Sequence, residues 1–487
     1  MARRLDGNYI NGNEMTEEIQ LRLINTETRA PEEVRPLDGK TVRMYTCGPT
    51  IYDYAHIGNF RTFVFEDLLR RVIRFFGLGL IQVMNITDID DKTIRGAIEK
   101  KVSLSEYTTP FKNAFFEDLA TLNVEKVEYY PCATDYIPQM IEMIQALITN
   151  GAAYVGADGS VYFAITKFPK YGRLSHLHLE DLKMGASQRV STDEYSKEHA
   201  SDFVLWKKYD PTRDGSVYWE SPFGKGRPGW HIECSVMACA LLGHTIDIHA
   251  GGVDLIFPHH ENEIAQSEAC THKIFSRLWV HVEHLLVDGK KMSKSLGNFY
   301  TLRDLLQKGY SGKIIRMLLI STHYRTQLNF TLQGLEAAKA AVQRLNDFIV
   351  RLETYKNSTS GSYDIEYSLQ EMRRLFREAL AHDINISEAL AVVFELVRQV
   401  NHLCDEQTLS EKAAMSILQE MIKIDEVFGV MTFTHDAIPQ EVQALVDVRL
   451  DARNNKDWKK SDEIRNALLQ KGFVLEDTPG GTRIKKV

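Results

Sequence analysis

The amino-acid sequence predicts an α/β protein that begins with a parallel sheet and continues into a long helical region. Residues 41–54, "TVRMYTCGPTIYDY", form an apolar run that ends in Gly-Pro-Thr and polar residues, which is typical of a buried strand and a tight turn. Residues 55–77 then carry apolar side chains at helical spacing and end at Gly77. A second strand and helix are predicted over residues 81–100, and such alternation is how a parallel sheet begins.

The next segment, about residues 105–225, is mixed in pattern and predicts an insertion into the sheet. It contains a helical pattern at 134–150, the strand-like run "GSVYFAI" and a polar stretch, "GASQRVSTDEYSKEHAS", that predicts an exposed loop. The apolar β pattern resumes in "HTIDIHAGG", residues 244–252, and in "LWVHVEHLLVDGKKMSKS", residues 278–295.

From about residue 310 the pattern is almost entirely helical, with a linker-like break, "YKNSTSGSYD", at residues 355–364. The last segment, residues 449–487, holds ten Lys and Arg against six Asp and Glu, whereas the whole chain has a formal net charge of −8. The overall charge argues against a general nucleic-acid coat, and the basic end indicates a local surface that attracts phosphates.

The composition is that of an ordinary globular protein. A chain of 487 residues is too long for one core and predicts about three domains. The N-terminus lacks the apolar region of a secretory signal, and no run approaches the roughly 20 apolar residues that cross a bilayer. The six cysteines include no CxxC pair, which favours reduced thiols and a cytoplasmic protein.

Histidines concentrate in one part of the chain, which predicts a polar site there. Eight of the 16 fall within residues 231–284. The stretch "IFPHHENEIAQSEAC", residues 256–270, predicts a helix with Pro258 at its first position. His259 and Glu263 would share one face of that helix, and so, less well aligned, would His260 and Glu263. Half of a metal site, an acid/base pair and a surface ion pair all remain open.

Two short motifs are suited to phosphate binding. "HIGN", residues 56–59, follows a strand and opens a helix, where backbone N–H groups attract a phosphate. The alternative is a turn with a capping histidine. "DGKKMSKSLGNF", residues 288–299, places three lysines and two serines in a loop that could hold a polyphosphate. A solvated charged turn is the alternative there.

Together these motifs resemble the paired signatures of class I aminoacyl-tRNA synthetases, and within that class the chain resembles the cysteinyl-tRNA synthetase family. The resemblance runs from about residue 20 to 482 through "YTCGPTIYDYAHIGN", "NITDIDDK", "DFVLWK", "GRPGWHIECS", "GGVDLIFPHHENE", "KMSKSLGN" and "KDWKKSDEIRNALLQKGFVLEDTPGGT". Two positions depart from the family pattern: Asn59 replaces the second histidine of the first motif, and Arg483 stands where a tryptophan is usual.

The resemblance implies a domain order. An N-terminal extension, residues 1–18, would precede a Rossmann-like catalytic domain at 19–310 that carries the insertion. Stem-contact helices at 311–355, a helical bundle at 365–435 and an anticodon-binding domain at 440–487 would follow.

The resemblance also implies a metal site. From the residues alone, Cys47 after the first strand and Cys234 in "WHIECS" could join His259 and Glu263 as a tetrahedral zinc set, or the cysteines could be buried apolar residues. The family's zinc ligands fall on these four positions, which implies one zinc ion per chain and selects His259 over His260.

Further site residues follow from the same resemblance. Thr87 and Trp230 would line an amino-acid pocket, and the remaining roles fall into three groups. Catalysis is assigned to His56, Asn59, Lys291 and Lys294; ATP binding to Gly58, Gly251, Gly252, Asp254, Ser293 and Ser295; and anticodon contacts to Arg453, Asp462 and Asp477.

The implied activity is that of a monomeric cysteine–tRNA ligase. It would form cysteinyl adenylate from L-cysteine and ATP, with Mg²⁺, and transfer cysteine to tRNA(Cys), while zinc recognises the thiolate. A cysteine ligase that acts on a small amino-sugar would share the zinc and ATP sites, but would not require the helical region with its basic end. A non-catalytic tRNA-binding paralogue is disfavoured by intact His56, Lys294 and metal ligands. A zinc hydrolase is disfavoured because the sequence lacks an HExxH arrangement.

Overall fold

The computed structural model describes residues 19–177, 202–292, 297–357, 364–433, 440–454, 457–471, 473–478 and 481–486. Its centre is a four-stranded parallel sheet formed by β3 (Thr41–Thr46), β4 (Gly79–Met84), β9 (Ile246–Gly252) and β10 (Ser276–Val282). The strand order is β10-β9-β3-β4. The predicted α/β class with a parallel sheet is therefore confirmed.

Helices cover both faces of this sheet because the strand side chains alternate. Met44 lies in the core that includes α1 (Ile57–Phe75), whereas Tyr45 lies in the core that includes α6 (Trp230–Leu242) and α7 (Glu261–Thr271). Both strand residues are fully buried. A strand buried on two faces explains the nearly continuous apolar run that the sequence shows at this point.

The segment predicted as an insertion contains a second sheet and several helices. It is preceded by α2 (Asp91–Lys100), and its helices are α3 (Leu104–Thr121), α4 (Ile137–Thr149) and the short α5 (Pro211–Asp214). The antiparallel sheet consists of β5 (Ala153–Val155), β6 (Val161–Phe163), β7 (Phe203–Lys208) and β8 (Gly226–Pro228). The polar stretch 185–201 predicted as a loop lies outside the described residues.

An N-terminal hairpin, β1 (Arg22–Asn25) and β2 (Ala30–Glu33), packs beside β10. After the sheet, β11 (Leu285–Val287) pairs with β12 (Lys290–Lys291) and β13 (Leu328–Phe330), with α8 (Leu302–Gln307) and α9 (Gly312–Ile320) between them. A helical region then comprises α10 (Leu332–Glu353), α11 (Ile365–Ala381), α12 (Ile386–Asp405) and α13 (Glu411–Phe428).

The C-terminal segment has its own small core. It is built from α14 (Gln440–Asn454), α15 (Trp458–Gln470), β14 (Phe473–Thr478) and β15 (Gly481–Lys486). The almost entirely helical pattern expected after residue 310 is wrong here, because alternating Phe473 and Leu475 bury one face of an antiparallel hairpin. Among the described residues, no helix has the length and apolar character needed to span a bilayer.

Candidate metal centre and active site

The four residues proposed as metal ligands converge at the carboxyl edge of the parallel sheet. Cys47 directly follows β3, and Cys234 lies in the first turns of α6. His259 precedes α7, and Glu263 lies in its first turn. All four are buried. Residues far apart in sequence meet here because parallel strands end at the same edge of a sheet.

Their donor atoms are close enough to hold one ion. The Cys47 and Cys234 sulfurs are 4.0 Å apart, and the Cys47 sulfur is 3.9 Å from Glu263 Oε1. His259 Nε2 lies 3.0 Å from the same oxygen, and all four donor atoms fall within 4.8 Å of one another. Two thiolates, an imidazole and a carboxylate are ligands that zinc accepts in tetrahedral sites. The residues therefore fit a zinc ion.

A second set of donors overlaps the first. Cys47, His249, His260 and Glu263 also lie within 4.8 Å of one another. This set offers one sulfur instead of two, and softer sulfur donors favour zinc. His249 Nε2 is 3.0 Å from Glu263 Oε2, and His260 Nε2 is 3.3 Å from the Cys47 sulfur. Hydrogen bonds of this kind orient the ligands of a metal ion.

Five of the eight histidines within residues 231–284 surround the centre: His231, His249, His259, His260 and His281. No role was predicted from the sequence for His231, His249 or His281. The sequence does indicate two of these histidines as candidate site residues, because His249 and His281 are polar residues inside otherwise apolar strands. Burial lowers the pKa of His260 well below its usual range and, with His249 nearby, that of His281 to about 3.

The ligand residues influence each other's charge. Burial alone would raise the pKa of Glu263, but the neighbouring His249 and His259 hold it at about 2. Burial opposes a charged His259, whereas Glu263 and Cys234 raise its pKa to about 10. Burial raises the pKa of the Cys47 thiol well above its usual range. Metal binding here would therefore release protons, since zinc takes neutral imidazole and thiolate.

The two residues predicted to line an amino-acid pocket lie beside this centre. The Trp230 ring stacks on His259, with ring centroids 4.1 Å apart. Thr87 is buried, and its hydroxyl donates to Glu233 Oε2 at 3.1 Å while accepting from Asn85 at 3.1 Å. Glu233 was not predicted as a site residue, although it is an acidic residue directly before Cys234. Its carboxyl is buried, and burial raises its pKa well above the usual range.

The two phosphate motifs are brought together. His56 caps α1: its Nδ1 accepts from the Asn59 N–H at 3.1 Å, and Asn59 Oδ1 accepts from the His56 N–H at 3.1 Å. Asn59 thus completes a reciprocal helix cap. Gly58 of the first motif lies against Met292 of the second: a Cβ added to Gly58 would be 3.2 Å from the Met292 methyl carbon. Lys291 is exposed in β12.

The predicted nucleotide site has two further parts. Ser293, Lys294 and Ser295 lie outside the described residues. Gly251 and Gly252 end β9, and a Cβ on Gly251 would lie 3.0 Å from His260 Cε1. Asp254 follows in a short turn and is exposed. Gly251 lets the backbone pass closely over the His260 ring.

The three residues predicted to contact an anticodon lie on successive elements of the C-terminal segment. Arg453 is on α14, with its guanidinium carbon 5.9 Å from the centroid of the Trp458 ring. Asp462 is exposed on α15, and Asp477 lies in β14. The structure thus places the three on neighbouring elements of one small unit, 440–486.

Three family models match consecutive parts of the chain. Residues 33–340 match the catalytic domain of class I (C) tRNA synthetases, and residues 375–432 match a DALR domain. Residues 435–484 match the anticodon-binding domain of cysteinyl-tRNA ligase.

Individual proteins match over nearly the whole chain. A cysteine–tRNA ligase of Protochlamydia amoebophila (strain UWE25) is 59% identical over 470 residues, covering 96% of this chain and 98% of that protein. A cysteine–tRNA ligase of Chlamydia felis (strain Fe/C-56) is 55% identical, again covering 96% and 98%. A solved methionyl-tRNA synthetase of Mycobacterium tuberculosis, in complex with methionyl-adenylate, has a TM-score of 0.58 at 13% identity and covers 80% of this chain and 90% of its own. This last similarity supports the fold alone.

Proposed function

The chain belongs to the cysteine–tRNA ligase family of class I aminoacyl-tRNA synthetases, and from this premise we propose that it charges tRNA(Cys) with L-cysteine. In the first step, L-cysteine and ATP form cysteinyl adenylate and pyrophosphate. In the second, cysteine passes to the 3′ end of the tRNA. The observation that carries the proposal is the buried Cys47–Cys234–His259–Glu263 cluster, together with the contact between the two predicted phosphate motifs at Gly58 and Met292.

We propose zinc as the cofactor at this cluster, held by Cys47, Cys234, His259 and Glu263. A hydrophobic pocket separates near-isosteres such as cysteine and serine by only about 10- to 200-fold. Bound zinc would coordinate the substrate thiolate and disfavour the serine hydroxyl, which stays protonated. Trp230, stacked on His259, would form a wall of the pocket, and Thr87 would line it.

Adenylate formation then needs positioning and charge stabilisation. The cysteine carboxylate is already ionised, so no side-chain base is required. The N-terminus of α1 with His56 and Asn59, together with Lys291 and Lys294, would stabilise charge on the α-phosphate and on the departing pyrophosphate. The ATP would rest on Gly58, Gly251, Gly252, Ser293 and Ser295, with Asp254 on the ribose and Mg²⁺ on the phosphates.

The tRNA would bind along the helical region to the basic C-terminal unit. Arg453, Asp462 and Asp477 would contact anticodon bases, since acidic side chains accept hydrogen bonds from base amino groups. A single chain would provide both the catalytic domain and the C-terminal unit that the tRNA contacts, so the proposed active form is a monomer. The amino-sugar ligase and the non-catalytic paralogue are not favoured, because the relatives over nearly the full length are cysteine–tRNA ligases.

The direct test is cysteine-dependent ATP–pyrophosphate exchange followed by charging of a tRNA(Cys) transcript. Both reactions are expected. Exchange without charging would favour a ligase with a small acceptor. Absence of exchange would contradict both the cysteine–tRNA ligase and the amino-sugar ligase.

The metal assignment has its own test. We expect Cys234→Ser to lose zinc and to erode the preference for cysteine over serine in the exchange reaction. The matched control is Cys239→Ser, which alters a half-buried cysteine on the same helix that belongs to neither donor set. Zinc is measured by elemental analysis after dialysis. A Cys234→Ser protein with unchanged zinc content would refute the ligand assignment.

A further inference from the structure

The β1–β2 hairpin, which no motif of the active site includes, is fastened to the strand that carries His281. The Thr26 N–H donates to the Trp279 carbonyl at 2.8 Å, and the Trp279 N–H donates to Asn25 Oδ1 at 3.1 Å. Asn25 Nδ2 donates to the Arg277 carbonyl at 3.1 Å. These three bonds fix the hairpin turn against β10, so the Thr26 side chain has a defined position.

From this turn, a continuous line of hydrogen bonds leads to the metal centre. Thr26 Oγ1 lies 2.7 Å from His281 Nδ1. His281 Nε2 lies 2.8 Å from His260 Nδ1, and His260 Nε2 lies 3.3 Å from the Cys47 sulfur. Both imidazoles are buried, and each ring nitrogen in the line has one partner in it.

The direction of this line follows from its end at the metal. A zinc-bound thiolate only accepts hydrogen bonds, so His260 donates from Nε2 to Cys47. An imidazole with one N–H donates from one ring nitrogen and accepts at the other, so a His260 that donates from Nε2 accepts at Nδ1 from His281 Nε2, 2.8 Å away. The Nδ1 of His281 must then accept as well. Thr26 is the group facing it, and its hydroxyl can donate.

We infer that Thr26 is a positioning residue of the thiol-recognition site, whose hydroxyl sets the tautomers of His281 and His260 and thereby directs an N–H to the Cys47 sulfur. The inference rests on the proposed zinc site and deepens it. An N–H donated to a coordinating sulfur fixes its orientation and moderates its charge, and loss of such supporting bonds costs roughly 10–100-fold in metal affinity.

The test compares three variants of the full chain. Thr26→Val removes the hydroxyl at nearly constant volume, and Thr26→Ser retains it. The control Thr28→Val alters a threonine of the same turn whose hydroxyl donates to Glu32 instead, at 2.5 Å. Zinc affinity is measured by competition with a chelator, and the tautomers of His281 and His260 by ¹⁵N NMR of histidine-labelled, zinc-loaded protein.

We expect both rings to carry the proton on Nε2 in the parent protein and in Thr26→Ser. Thr26→Val should lower zinc affinity by about 10–100-fold and change the His281 tautomer signature, whereas Thr28→Val should do neither. A Thr26→Val protein with parental affinity and tautomers would overturn the inference. An equal loss of zinc affinity in Thr26→Ser, which retains the hydroxyl, would also overturn it. If Cys234→Ser also leaves the zinc content unchanged, the proposed metal site itself is wrong. If Cys234→Ser loses zinc while Thr26→Val keeps the parental zinc affinity and tautomers, only the inferred role of Thr26 is wrong.

Discussion

Two adjacent histidines, His259 and His260, reach the same buried centre from different sides. His259 Nε2 is 3.0 Å from Glu263 Oε1, and its ring lies against Trp230. His260 instead contacts the Cys47 sulfur and His281 through its two ring nitrogens. Their different partners suit different roles: His259 for a metal ligand, and His260 for a group that orients one.

This distinction gives a matched pair of variants. We expect His259→Gln to reduce zinc affinity by more than the roughly 10–100-fold expected for His260→Gln, because losing a ligand costs more than losing a supporting hydrogen bond. Chelator competition on the two purified proteins measures the difference. The reverse order would place the ion in the alternative set with Cys47, His249, His260 and Glu263.

At the scale of elements, α1 is held by a buried charge cluster around Asp67. Asp67 Oδ2 accepts from Arg71 at 2.7 Å and from Arg316 of α9 at 2.5 Å. Arg316 also donates to the Phe428 carbonyl at the end of α13. One carboxylate thus fastens the helix that begins with "HIGN" to two helices from the second half of the chain.

We expect Asp67→Ala to lower stability by about 3–5 kcal/mol, because it removes the carboxylate that the buried guanidinium groups of Arg71 and Arg316 share. Burial would raise the pKa of Asp67, but Arg316 and Arg71 hold it below its usual range. The depressed pKa means that this stabilisation is present above about pH 4 and is lost as the pH falls through the folded-state value.

Scanning calorimetry across this pH range provides the measurement for Asp67→Ala. The control is Glu395→Gln, which breaks an exposed pair with Arg398 on α12 and should leave the melting temperature nearly unchanged. Equal melting temperatures for Asp67→Ala and the parent at neutral pH would contradict the expected role of the cluster.

Across the whole molecule, Asp383 joins the helical region to the catalytic half. Between α11 and α12, its Oδ1 accepts from the Ile24 N–H of β1 at 2.8 Å and from the Tyr324 hydroxyl. Its Oδ2 accepts from Arg325 at 3.2 Å, and its own N–H donates to the Arg22 carbonyl at 2.9 Å. A tRNA that contacts both ends of the protein would depend on this junction.

We therefore expect Asp383→Ala to destabilise the protein by about 1–3 kcal/mol, since the partly buried donors of Ile24 and Tyr324 lose their acceptor. It should impair tRNA charging more than ATP–pyrophosphate exchange, because exchange uses only the catalytic half. Asp383→Asn, which keeps an oxygen acceptor for Ile24, is the milder comparison. An equal loss in both reactions would argue against a role of the junction in tRNA placement.

The amino-acid sequence was enough to predict the α/β class, because apolar runs and helical spacing are local properties of the chain. It also identified the family, since many motifs occur in order. Local spacing paired His259 with Glu263, although regular α-helix begins only at Glu261, after an extended Phe257 and a wider turn, rather than at the predicted Pro258.

The surroundings of His259 and Glu263 could not be predicted from the sequence and follow from the folded chain. The Cys47 and Cys234 sulfurs, His249 and the line from Thr26 through His281 reach the centre from separate strands, helices and a hairpin. Local spacing carries no information about such distances. These residues come into contact because the parallel strands end at the same edge of the sheet and because the hairpin docks on β10.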